Sequence, residues 1–254
     1  MHPTLIKIGS LSIHTYGVFV VIGFLAGIAL AMREARRIGD DPATILDLSF
    51  YLLIWAIVGS RIFYIFMNYQ DYSGQPLEVI KLWRGGLAFQ GGLLASGLTL
   101  VWYVRKHHMN LGRLADILAP SVAIGQAFGR IGCFFAGCCY GKEAHVPWAI
   151  TFNNPESLAP TGIPLHPTQL YHAFSLFVIF LILTGVTRFK RAEGQVAWVY
   201  LLLHSVQRFI IEIFRGDTRK WLFSGLVTPT QILTIIIGFT SLYMLWHSRR
   251  HWRR

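Results

Sequence analysis

Charge is scarce in this chain of 254 residues: 14% of positions are Asp, Glu, Lys or Arg, while 54% are hydrophobic. Such a composition cannot furnish the polar shell of a water-soluble domain, so it excludes that class. Acidic residues are the rarest part, 12 against 23 basic ones, for a net charge of +11. The basic residues fall in short clusters between apolar runs. That distribution reads as membrane topology and attraction to anionic lipid, and argues against nucleic acid as a partner. Cysteine is nearly absent: the 3 present all lie between Cys133 and Cys139, too few and too close for a disulfide framework. No cleavable signal peptide is expected, because Met1 to Ser12 lacks an n-region and arginines follow the first apolar run. No polar stretch is long enough for a separate soluble domain, so residues 1–254 are expected to form one integral membrane domain.

What the chain does contain is a series of apolar segments: Tyr16–Met32, Ile45–Met67, Gly86–Val104, Asp116–Ala136, Thr168–Thr187, Gln195–Phe214 and Pro229–Trp246. Read as helices they predict an all-α polytopic membrane protein with seven transmembrane helices. Met1–His14 reads as a short surface segment, and Asn68–Gly85 as a loop turning at Gly74-Gln75-Pro76. The polar, proline-bearing stretch 137–167 reads as a loop large enough to cover a site. An odd number of spans puts the termini on opposite sides. With the N-terminus outside, the inner segments hold 13 basic residues and the outer segments 7. The positive-inside rule then predicts an outer N-terminus, a cytoplasmic C-terminus and an outward-facing loop 137–167.

Arg61, Arg130 and Arg208 fall inside the apolar segments. A charge at membrane depth is costly and marks a functional site with a partner. Arg130 lies in the run Gly129-Arg130-Ile131-Gly132-Cys133-Phe134-Phe135-Ala136-Gly137-Cys138-Cys139-Tyr140-Gly141, three residues from Cys133 and so on the same helix face. Gly125, Gly129 and Gly132 make a strip of small residues where a neighbouring helix or a lipid head can approach. Arg208, Glu212 and Arg215 are spaced to share a face of the sixth segment. Glu212 can hold an arginine so that its planar fork faces a phosphate; a structural ion pair is the plainer alternative. His166, before Pro167 at the start of the fifth segment, is either a base or a cap. The cysteines with His145 match no strong zinc spacing, so no metal and no cofactor is expected. A disulfide from Cys133 to Cys138 or Cys139, and simple apolar packing, both stay open.

Nearly the whole chain resembles the bacterial prolipoprotein diacylglyceryl transferases. The resemblance is carried by Tyr16-Gly17, Gly59-Ser60-Arg61, the run from Gly85 to Leu93, Gly129-Arg130-Ile131-Gly132, His166-Pro167-Thr168-Gln169-Leu170-Tyr171, Arg208-Phe209-Ile210-Ile211-Glu212 and Gln231-Ile232-Leu233. It implies a multi-pass protein of the bacterial inner membrane, here expected to be a monomer. The implied reaction moves the diacylglyceryl group of phosphatidylglycerol onto the lipobox cysteine of a prolipoprotein, with release of glycerol phosphate. Arg130, Arg208, Cys133, Cys138 and His166 become the catalytic candidates. Tyr16, Arg61, Gln90, Gly132, Gly141, Glu212 and Arg215 become candidates for substrate contact. Three positions depart from the family pattern, which has histidine at Gln90, asparagine at Cys133 and glutamate at Cys138. A relative that uses a reactive cysteine on another acceptor, and a non-catalytic phospholipid-binding or transport protein, are the alternatives.

Overall fold

The computed structural model describes residues 2–8, 11–72, 79, 81, 85–216 and 227–251. The predicted turn Gly74-Gln75-Pro76 lies outside the described residues. The chain forms two compact units, one of Met1–Ala31 with Gly112–Arg254 and the other of Met32–Leu111.

The larger unit begins with an antiparallel hairpin, β1 (Thr4–Ile8) paired with β2 (Leu11–His14). The short N-terminal segment is thus a hairpin: Ile6-Lys7-Ile8 and Leu11-Ser12-Ile13-His14 alternate as a two-stranded ribbon requires, and a register shift between Thr4 and Ile6 takes up the adjacent Leu5. The hairpin runs into α1 (Thr15–Arg37), whose last turns belong to the second unit. Later come α5 (Leu111–Ala136), α6 (Thr168–Phe189), α7 (Gln195–Ile213) and α8 (Pro229–His251). A short pairing of β3 (Ile150–Thr151) with β4 (Pro164–Leu165) folds the connection between α5 and α6 back on itself. The second unit holds α2 (Pro42–Met67), α3 (Tyr69–Tyr72) and α4 (Phe89–Lys106).

Among the described residues six helices, α1, α2, α5, α6, α7 and α8, are long and apolar enough to cross a membrane. The protein is therefore a multi-pass, helical membrane protein. The 18-residue α4 falls outside this group among the described residues; its last turn holds Arg105 and Lys106. Outward faces are apolar, with Phe174 73% and Phe239 70% exposed, as a hydrocarbon solvent requires.

The interior of the larger unit lies among α5, α6 and α7, where Ala119, Ala123, Ile179, Leu183, Val196 and Tyr200 form one buried cluster. The glycine strip on α5 has the expected effect. A Cβ at Gly23 of α1 would fall 2.8 Å from the carbonyl oxygen of Gly125, so the backbones meet directly. At the opposite end of α5, Asp116 is 1% exposed. It accepts from Lys190 Nζ at 3.0 Å and from the backbone N–H groups of Gly194 at 2.9 Å and Ala197 at 3.0 Å. One carboxylate thus caps α7 from a different helix and neutralises Lys190. Asp116→Ala is expected to cost about 3 kcal/mol, since it leaves a cation and two N–H groups without their acceptor. Thermal unfolding in detergent checks this, with Asp116→Glu retaining part of the loss.

In the second unit, Asp41 accepts from Ala43 N at 2.9 Å and Pro42 occupies the first helical position, so α2 starts where the sequence signals it. Arg61, 7% exposed, points from α2 to the chain ahead of α4. It donates to the carbonyls of Val79 at 2.9 Å, Gly85 at 2.7 Å and Gly86 at 3.1 Å, and lies over the Tyr72 ring. Its fork is taken up in holding that segment, which gives this membrane-depth arginine a structural task. Gln90 is exposed in the first turn of α4 of the same unit.

Candidate active site

Gly137, at φ +75°, closes α5 in a Schellman turn: its N–H bonds Phe134 O at 3.2 Å, and that of Cys138 bonds Cys133 O at 3.2 Å. The turn folds Cys138 back over Cys133. Cys139 follows in the left-handed region at φ +61°, a conformation that side-chain-bearing residues rarely hold without outside support. The support comes from the start of α6. Thr168 Oγ1 donates to the carbonyl of Cys139 at 2.8 Å, and Gln169 Nε2 to that of Cys138 at 2.8 Å, both from fully buried side chains. The result is that the sulfurs of Cys133, Cys138 and Cys139 lie within 4.8 Å of one another.

All three are free thiols, so the disulfide option does not hold in this structure. His145 does not join them; its side chain is 84% exposed beside Glu143. Beyond the helix end, the Cys139 thiol is pushed below its ordinary range, first by hydrogen bonds from Cys133 and Cys138 and then by Arg215 and Arg130. The Cys138 thiol is pushed up, first by its hydrogen bonds with Cys133 and Cys139 and then by burial. Tyr16, at the start of α1, stands within electrostatic reach of the three sulfurs and of Arg130. Gly132 lets it in, since a Cβ there would lie 3.2 Å from Tyr16 Cδ2.

The second half of the site is built on α7 and α6. Arg208 Nη1 pairs with Glu212 Oε2 at 2.9 Å, as the spacing predicts, and Glu212 Oε1 accepts from Thr228 Oγ1 at 3.2 Å. Thr228 also begins α8 in a capping box: Gln231 N donates to Thr228 Oγ1 at 3.2 Å, and Thr228 N to Gln231 Oε1 at 2.9 Å. Arg215 is not on the helix face with Arg208 and Glu212, because α7 ends at Ile213. It is instead bridged to Gly141 in extended backbone and 6% exposed. Gly141 sits between two segments of the chain: its N–H bonds His166 O at 2.9 Å, and a Cβ there would fall 2.6 Å from that oxygen and 2.8 Å from Phe214 O. This narrow seam fixes Arg215 next to the thiol-bearing turn.

Sequence reasoning missed His172, 1% exposed on α6. Its Nε2 is 3.3 Å from Arg208 Nη1, and its Nδ1 is 2.5 Å from the Gln207 amide nitrogen. Gln207 Oε1 is buried without a hydrogen-bond partner among the described residues. Turning that amide over satisfies both groups: Oε1 accepts from His172 Nδ1–H, and the Nε2 lone pair is left for Arg208. His172 then accepts from the same guanidinium nitrogen that pairs with Glu212. It also lies within electrostatic reach of Arg130, Arg208 and Arg215 together, so these three arginines face one neighbourhood. The signal available in the sequence was a histidine within an apolar span.

Arg130 is half-buried and, among the described residues, has no carboxylate partner, in contrast to Arg208. His166 is tied up in aromatic contacts. Trp148 Nε1 donates to Tyr171 Oη at 2.8 Å, which leaves the tyrosine proton for His166 Nδ1 at 3.1 Å. The His166 ring packs edge-on to Phe214 with centroids 5.2 Å apart.

Arginines beside thiols, in a unit of long helices with apolar exposed side chains, define a helical membrane protein that keeps charge in its interior. The comparisons make that class particular. Residues 3–247 match the family model described as prolipoprotein diacylglyceryl transferase, and the chain belongs to that family. It is 32% identical to a phosphatidylglycerol--prolipoprotein diacylglyceryl transferase of Clostridium tetani, over 94% of this chain and 95% of that protein. It is 36% identical to a protein of the same name from Geobacter sulfurreducens, over 98% and 96%. A third of that name, from Synechococcus elongatus, is 34% identical over 96% and 86%.

Proposed function

We propose that this protein transfers the diacylglyceryl group of phosphatidylglycerol to the lipobox cysteine of prolipoproteins, as a monomer in the bacterial inner membrane. The observation that carries the reading is Arg208, held by Glu212 at 2.9 Å and His172 at 3.3 Å, with Arg130 and Arg215 within electrostatic reach of the same histidine. The reaction forms a C–S bond at the glyceryl carbon and breaks the C–O bond to phosphate. Charge grows on the departing glycerol phosphate, and a guanidinium fork in a low-dielectric site meets that charge with two parallel donors. In this reading Arg208 is held by Glu212 and His172, and Arg130 supplies the cation with room for substrate. Tyr16, Gly132 and Gly141 shape the walls.

The test uses purified protein in phosphatidylglycerol vesicles with a lipobox peptide. A mass increase of one diacylglyceryl group on the peptide cysteine is expected, together with release of glycerol phosphate. An unmodified peptide, with the protein folded and the lipid present, refutes the reading.

We further infer that α4 crosses the membrane as well, giving seven spans with the N-terminus outside and the C-terminus in the cytoplasm. The 13-to-7 distribution of basic residues supports this, as does the roughly 27 Å that 18 helical residues reach. A reporter fused after residue 254 should be active only in the cytoplasm, and one placed within 137–167 only outside. The opposite pattern would move the site to the wrong face.

A further inference from the structure

The thiol cluster at the end of α5 is the feature that the arginine chemistry does not use. We propose that Cys133, Cys138 and Cys139 form a three-thiolate site for a thiophilic divalent cation of the zinc class, whose fourth coordination position takes the acceptor thiol. The acceptor's identity rests on the transfer reading above; the cation site does not.

Geometry carries the proposal. A tetrahedral ion about 2.3 Å from each sulfur sets the sulfurs roughly 3.8 Å apart. The three sulfurs already lie within 4.8 Å of one another, so a closure of about 1 Å completes the set. The arrangement is imposed from outside the cysteines. A Schellman turn places Cys138, a left-handed backbone places Cys139, and Thr168 and Gln169 hold both carbonyls from α6. A strained, braced residue of this kind is what a site needing a fixed donor position requires. No fourth histidine, cysteine or carboxylate joins the cluster among the described residues. That is the pattern of a site with an open position. Charge agrees as well: three thiolates outweigh one divalent cation by one charge, and the acceptor thiolate adds another. Arg130 and Arg215, both acting on Cys139, balance them.

Such an ion has work to do in this chain. The acceptor must react as a thiolate, and Gln90 cannot take its proton. A thiol that coordinates zinc is deprotonated outright, with its proton released to water. The bound thiolate then attacks the glyceryl carbon, the C–S bond forms, and the electron pair of the C–O bond leaves on glycerol phosphate toward Arg130. A thioether is a weaker ligand than a thiolate, so the product would dissociate and leave the ion on its three cysteines, with no redox step.

The experiment uses the full chain, reduced and stripped of metal by a chelator, titrated with Co²⁺ as the spectroscopic probe. A sulfur-to-cobalt charge-transfer band saturating at one equivalent is expected, and it should disappear in Cys139→Ser. Gln169→Ala, which leaves all three ligands, should weaken Co²⁺ by about 10- to 100-fold. Zn²⁺ should restore transfer to the chelated protein and protect all three thiols from a maleimide. Absence of the band, or equal maleimide labelling with and without Zn²⁺, overturns the site. Full transfer by chelated protein overturns its role in the reaction. One equivalent of Co²⁺ bound by a protein that never modifies the peptide supports the site and refutes the transfer reading, so the two failures are separable.

Discussion

Arg130→Lys is expected to lower the transfer rate by roughly 10²–10³-fold while leaving the protein folded. Both residues carry one positive charge, so a simple electrostatic role would survive the change. The planar fork would not. A lysine ammonium is a strongly hydrated point charge that cannot donate two parallel hydrogen bonds to one phosphate. Arg130 has no carboxylate partner among the described residues, so its replacement breaks no ion pair and the unfolding temperature should barely move. The expected loss is in kcat more than in KM, because the fork matters most as charge builds on the leaving group. Arg208→Lys should be as damaging for a second reason. The Nη1 of Arg208 serves Glu212 at 2.9 Å and His172 at 3.3 Å at once, and one ammonium on a flexible stem cannot keep that orientation. Kinetics with phosphatidylglycerol vesicles and a lipobox peptide check both. Lysine enzymes as fast as the parent at both positions would remove the phosphate clamp.

The helices were legible because each is an apolar run stopped by a visible signal. Arg33, Arg36 and Arg37 close the first, and Asp41-Pro42 opens the second with a cap and a proline at its first turn. Arg208 with Glu212 was legible for the same reason, since i, i+4 spacing is local. The N-terminal hairpin was not, because two strands this short carry too little alternation to stand out beside an apolar helix. Arg215 was misplaced because a helix end moves a residue off its face within two positions, and nothing in Ile213-Phe214-Arg215 marks that end. The thiol cluster was invisible for a stronger reason. The C-x4-C-C spacing suggests little by itself, and the hydrogen bonds that shape it come from Thr168 and Gln169, about thirty positions away. His172 stood in plain view, but its meaning needed Arg208 beside it, which only packing of α6 on α7 supplies.

Restoring the family's residues at the cysteines is expected to harm this enzyme. Cys133→Asn and Cys138→Glu would each be neutral if the thiols merely filled space, since the resemblance places asparagine and glutamate at those positions in a working transferase. The structure argues for the opposite result. Each sulfur is within 4.8 Å of the other two, so every thiol depends on its neighbours, and removing one leaves the remaining pair as an incomplete unit. Cys138→Glu also puts a full carboxylate in place of a thiol that stands next to the most readily ionised cysteine, and like charges that close disfavour each other. Single swaps should therefore cut the rate by about 10²-fold or more. The combination of Cys133→Asn, Cys138→Glu and Gln90→His should recover part of that loss, because the resemblance gives the family those three residues together. The measurement is the transfer rate of the two single variants and the triple variant, each with its thermal unfolding as a check on folding. Recovery in the triple variant alone means that the thiols and the family's polar set are alternative machinery. Undiminished rates in both single variants, or full activity with Cys133, Cys138 and Cys139 all changed to Ser, would reduce the cluster to packing.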